Sequence, residues 1–195
     1  MHSRYFLAVM AGLAALACQG PVQPGRIDID AAGSAQSLAA NGPGPKASGG
    51  GQLLVSNMFE GTFAFNAVET GNGGAVGQLH YSLLFQGLPV EFYGRVTCFA
   101  VDSINHRAWI GGVITGNLSE HPSYTTPRTQ VGRDIWFRVV DYGEGAGAPA
   151  DRSTFVGFEG DRGIITSAEY CAVKLWVDGD VGTQPVIHGN IQVKP

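Results

Sequence analysis

Charge is scarce in this 195-residue sequence. Asp, Glu, Lys and Arg make up only 14% of it, and the net charge is −4. A nucleic-acid partner asks for a basic face, and none is on offer, so no nucleic acid is expected. Catalytic signatures are missing as well. There is no GxSxG, P-loop or GxGxxG, and Gly143-Glu144-Gly145-Ala146-Gly147 fits none of them. His80, His106, His121 and His188 lie far apart, without HxH or HExxH spacing, so a zinc site is not expected. Asp141, Glu144 and Asp151 bracket a Gly-rich loop and could offer oxygens to calcium, but their spacing is not that of an EF-hand loop. No carboxylate pair stands out as an acid/base couple. The balance is toward a non-enzymatic protein with no metal or other cofactor. Also absent is any sustained 3.6-residue period, which argues against a helical architecture.

Glycine is what the chain has in excess, at 29 residues, about twice average usage. No G-X-Y period exists, so collagen is excluded. The glycines fall in a linker, in turns and inside strand patterns. At the N-terminus, Arg4 precedes an apolar run from Phe6 to Ala17. The run is short for a permanent membrane span, and residues 1–17 are read as a cleaved signal peptide. Ala15-Leu16-Ala17-Cys18 resembles a bacterial lipobox, with Ala15 where leucine usually stands. Lipidation of Cys18 is the favoured reading, and plain secretion is the alternative. Several acyl chains would make the anchor stable. Gln19 rather than Asp follows the cysteine, which points to an outer membrane if one is present. Residues 18–51, rich in Gly, Pro, Ala and Ser, are read as a lipid-anchored disordered linker. As a flexible coil it would hold the domain on the order of 30 Å from the lipid.

Residues 52–195 are read as a single β-domain. Phe59, Gly61, Phe63 and Phe65 alternate with Glu60, Thr62 and Asn66. Leu79, Tyr81, Leu83 and Phe85 alternate with Gln78, His80 and Ser82. Val90 to Thr115 forms the clearest hairpin, two alternating runs joined at Asp102-Ser103-Ile104-Asn105. Further strands are read at 134–139, 154–158, 171–177 and 187–193, with a small extra one at Ile164-Ile165. About eight antiparallel strands imply an all-β fold, a mostly up-and-down barrel with a two-sheet β-sandwich as the alternative. Arg95, Arg107, Asp134, Arg138 and Lys174 fall on outward phases, which argues against a membrane-spanning barrel.

Alternation also assigns faces. Cys98 and Cys171 both fall on the inward phase, and in an oxidising compartment a disulfide between them is favoured over two buried thiols. Tyr93, Phe99, Trp109, Trp136 and Trp176 fall on the outward phase, near Arg95. They form a candidate binding surface, with cross-strand packing as the competing reading.

Three segments carry a family resemblance. They are Gly94-Arg95-Val96-Thr97-Cys98, then Asp141-Tyr142-Gly143-Glu144-Gly145 with Asp151-Arg152, and finally Gly189-Asn190-Ile191-Gln192-Val193. Together, from about Glu60 to the C-terminus, they resemble the bacterial post-COAP domain family, secreted β-domains of unknown function. The resemblance implies a β-architecture and an extracytoplasmic location, and brings no active site. The leading functional expectation is therefore a surface-tethered, non-enzymatic domain for binding or cell-envelope interaction. Its partners would be the membrane, through the anchor, and an envelope or extracellular ligand. The alternative is a small enzyme or ligand carrier using a barrel cavity.

Overall fold

A computed structural model describes residues 44–56, 58–177 and 179–195. The signal peptide, Cys18 and most of the expected linker lie outside the described residues. The strands are β1 (Lys46–Val55), β2 (Phe59–Glu69), β3 (Ala75–Phe85), β4 (Leu88–Asp102), β5 (Arg107–Asn117), β6 (Asp134–Val140), β7 (Arg152–Ser153), β8 (Gly157–Phe158) and β9 (Gln184–Lys194). One helix, α1, covers Ser167–Val173. The strands follow the order β5-β4-β3-β2-β1-β9-β7-β6, and β6 pairs back onto β5. Every pairing is antiparallel. The result is a closed eight-stranded barrel, not two facing sheets. β8 adds a ninth short strand, pairing with β6 on the same side as β7. The expected strand at 154–158 is thus two short pieces separated by an irregular stretch.

The interior is filled by side chains from the inward phases. Phe63, Phe65, Tyr81, Phe92, Phe137 and Phe158 belong to one buried cluster. Phe63 stacks on Phe65 and Tyr81, and other rings meet in tilted and edge-to-face contacts, such as Phe65–Phe137 at 5.1 Å and Tyr81–Phe137 at 5.3 Å, geometries that aromatic quadrupoles favour. The Tyr81 hydroxyl is matched by Ser153 Oγ at 2.9 Å, so even this deep polar atom is satisfied.

Several expectations need correction. β1 begins at Lys46, so residues 46–51, assigned to the linker, are barrel wall. Its Gly49 backbone lies so close to β9 and β2 that an added Cβ would stand 2.8 Å from the Asn190 carbonyl and 3.0 Å from the Phe65 ring. Glycine is what lets the strand close the barrel there. The expected strand at 171–177 does not exist. Ser167–Val173 is helical, capped by Thr166, whose hydroxyl accepts from Glu169 N at 3.1 Å. Glu169 reciprocates by accepting from Ile165 N at 2.9 Å, much as in a capping box. Ile164-Ile165 is not a strand either; a 3-10 turn (Asp161–Gly163) precedes it.

β4 changes phase partway along. Its pairing with β5 slips between Val96 and Cys98, a β-bulge at Thr97. Beyond it Phe99 and Val101 pack against the barrel core, while Ala100 turns to a second cluster outside. Cys98 is likewise carried to the outer side. The Cys98–Cys171 disulfide forms, with Cα atoms 6.2 Å apart, but it ties the barrel wall to α1 rather than crossing the lumen.

The residues of the Asp141–Asp151 loop and of β9 act together. β9 pairs with β7 only through Pro185 and Gln184, leaving its later N–H groups without a strand partner on that side. Carboxylates take the place of a strand. Asp151 accepts from Ile191 N at 2.7 Å and from Tyr142 N at 2.9 Å. Asp141 accepts from Val193 N at 2.8 Å. Glu144 accepts from the Asn190 and Gln192 amides at 2.7 and 3.1 Å. These oxygens, candidates for calcium on sequence, are engaged with the chain's own donors.

Candidate functional site

The candidate binding residues separate into three environments. Phe99 faces the core. Trp109 and Trp136 do point away from the lumen, but they are 0% and 4% exposed. α1 and the segment after it lie over them, so they are not a free surface. Trp109 Nε1 donates to the Leu175 carbonyl at 2.7 Å, and Trp136 stacks on Tyr170. Trp176 is half-buried in the same outer layer. Only Tyr93 and Arg95 remain exposed on the sheet face.

Around those two the structure builds a groove that sequence alternation does not show. β3 and β4 pair from Gln78↔Arg95 to Phe85↔Leu88, whereas Ala75–Gly77 pair only with β2. The sheet therefore splays beside Arg95. The opening holds a groove of about 1050 Å³ walled by Asn66, Gln78, Tyr93, Arg95 and Thr97. Tyr93 also borders a neighbouring hollow of about 440 Å³, with Gly49, Ala64 and His80. His80 and Tyr93 stack at 4.5 Å with 19° between their planes. Glu91 holds the pair: Tyr93 Oη donates to its Oε1 at 2.6 Å, and His80 Nε2 lies 2.9 Å from the same oxygen. These two hydrogen bonds, that of Tyr93 first, hold the Glu91 carboxyl below its usual range. Glu91 in turn pushes the Tyr93 phenol up. The His80–Glu91 pair is close, but both side chains are open to water, at 34% and 26% exposure. It lies on the sheet face rather than in a deep polar pocket.

What this arrangement can do is bind. Asn66, Gln78 and Thr97 offer amides and a hydroxyl, Arg95 offers a cation, and the fixed His80–Tyr93 pair offers a flat face. The barrel interior is taken up by aromatic side chains, which turns attention from the lumen to the outside. Sequence reasoning found Tyr93 and Arg95 but missed His80, Glu91, Asn66 and Gln78. The signal was present in the strand phases, since His80, Glu91 and Tyr93 all fall outward; what it lacked was the β3–β4 register that makes them neighbours. No family model, curated protein or solved structure matches this chain.

Proposed function

We propose that this protein is an extracytoplasmic binding domain, held to a membrane by lipid on Cys18, that engages an envelope or extracellular ligand through the Tyr93–Arg95 groove. The observation that carries this reading is the His80–Glu91–Tyr93 arrangement beside Arg95: an aromatic face already fixed in place, next to a cation, along the wall of a groove. Such preorganisation lowers the cost of binding. The Cys98–Cys171 disulfide supports an oxidising compartment. Membership of the post-COAP family is part of the proposal. All three motifs that carry the resemblance have structural tasks here, in the β4 bulge, the carboxylate loop and the β9 edge.

The test is co-sedimentation of a C18A chain, which lacks the anchor, with isolated cell envelopes stripped of native lipoproteins. Y93A and R95A combined are expected to abolish retention while circular dichroism keeps the barrel signal, with a small loss of melting temperature from the missing Tyr93–Glu91 hydrogen bond. Retention equal to that of the parent would remove the groove from consideration. C18A combined with Y93A and R95A is expected to move the protein from the membrane fraction to the soluble one, and a protein that stays membrane-bound would end the anchor assignment. The carrier or enzyme alternative gains no support from the filled interior.

A further inference from the structure

The outer layer over β4–β6 contains a second hollow, which shares no lining residue with the groove. It measures about 270 Å³, and Trp136, Phe155, Tyr170 and Trp176 wall it. Trp136 and Tyr170 stack at 5.6 Å and 18°. Arg162 lies 5.4 Å from the Trp176 ring centroid. Gly182, another lining residue, packs close to the Trp176 ring: an added Cβ would stand 3.4 Å from it.

Two independent features mark this hollow. Tyr170 is 1% exposed, and its hydroxyl has no hydrogen-bond partner among the described residues. A buried hydroxyl left unpaired is costly and calls for an explanation. Burial pushes the phenol well up, so it stays a donor at neutral pH. The backbone is also held in an unfavourable conformation around the cleft. Arg162 and Trp176, both lining residues, have φ of 58°, a region that bulky residues rarely adopt and that persists where the surroundings enforce it.

We propose that this cleft is a saccharide subsite that receives one hexose-sized ring, neutral or acidic. A pyranose has an apolar C–H face to lie on an indole or phenol ring and hydroxyls on its edge to meet the Tyr170 hydroxyl and the Arg162 guanidinium. The volume suits a single ring, below the usual size of drug-scale pockets. A cationic ligand is disfavoured by Arg162 and by the buried Arg138, whose charge is felt at Tyr170, while the lining carboxylate of Asp161 is already paired with Arg128 at 2.7 Å. A purely aromatic ligand would leave the Tyr170 hydroxyl unpaired, the situation that polar sites reject.

Two of the chain's three tryptophans wall the cleft, so intrinsic fluorescence of the full chain in detergent reports occupancy. The probes are D-glucose, D-glucuronate and cellobiose, with benzoate and choline as contrasts. A saturable change with D-glucose or D-glucuronate is expected. Cellobiose binding at least as tightly would indicate the end of a glycan chain, and glucose binding alone a free sugar; either supports the subsite. Tyr170→Phe should weaken binding about tenfold, the cost of a lost hydrogen bond in a dry site. Its melting temperature should be unchanged or higher, because the variant removes an unpaired buried hydroxyl. Trp176→Ala should abolish the response, and Y93A with R95A should leave it intact, which separates this site from the groove. Saturation by neither sugar, response only to benzoate or choline, or a Tyr170→Phe variant that binds as well as the parent would overturn the proposal.

Discussion

Arg138 shows how a single residue organises the outer layer. It is 0% exposed, and it answers no carboxylate at salt-bridge distance among the described residues. Its guanidinium instead donates to backbone carbonyls of the following loop: Trp176, Gly179 at 3.1 Å and Val181 at 2.9 Å. Burial pulls its pKa down, yet the guanidinium remains charged at any working pH. Its fork spans several acceptors in a way that one ammonium cannot. Arg138→Lys and Arg138→Met should each cost about 2–4 kcal/mol in urea unfolding, and limited proteolysis should reveal faster cleavage within 176–182. Glu91 gives a pH prediction at the same scale. Its folded pKa lies below the ordinary 4.5, so its link to Tyr93 and His80 stabilises the fold above that value. The stabilisation is lost as pH falls through the depressed folded value. Melting curves of the parent and Glu91→Gln should therefore differ at pH 7 and converge in acid. A constant gap across the titration would contradict the assignment.

At the scale of elements, α1 is secured twice, by its cap and by the disulfide. The bridge joins residues 73 apart, and closing a loop of that length in the unfolded chain is worth about 4 kcal/mol. Replacing both cysteines by serine should lower unfolding free energy by roughly that amount, while circular dichroism should retain the barrel signal. Elements also differ in how far the sequence reveals them. β2, β3, β5, β6 and β9 are legible because inward residues alternate with outward ones over most of their lengths. β1 is not, because Ser48-Gly49-Gly50-Gly51 has a linker's composition; the need for close backbone approach appears only once β9 and β2 are in place. α1 is not, because seven residues make two turns, too few to display a helical period. Its one clear signal is Thr166-Ser167-Ala168-Glu169, the capping pattern that opens it. The Thr97 bulge carries no mark of its own, so Phe99 is read on the wrong face. Trp109 and Trp136 are read on the correct side of the wall. Alternation alone cannot tell a wall that meets water from one overlaid by a helix.

At the scale of the whole molecule, closure makes the barrel's stability depend on every stave. β1 hydrogen-bonds to β2 on one side and to β9 on the other. A chain starting at Gln52 would lose Lys46–Gly51, breaking the ring and exposing two edges. It should fail to give a cooperative melt, whereas one starting at Gly44 should melt as the full chain does. The same closure has a topological consequence. Lys46 is the register partner of Lys194, about 5 Å away across an antiparallel pair. A few residues of peptide would join them, and the turn at Ser103–His106, exposed throughout, offers a place to reopen the chain. Such a circular permutant would keep the same ring of strands while moving both ends to the tip of the β4–β5 hairpin. Passengers fused to the native order emerge side by side at β1 and β9; in the permutant they would emerge together at that hairpin instead.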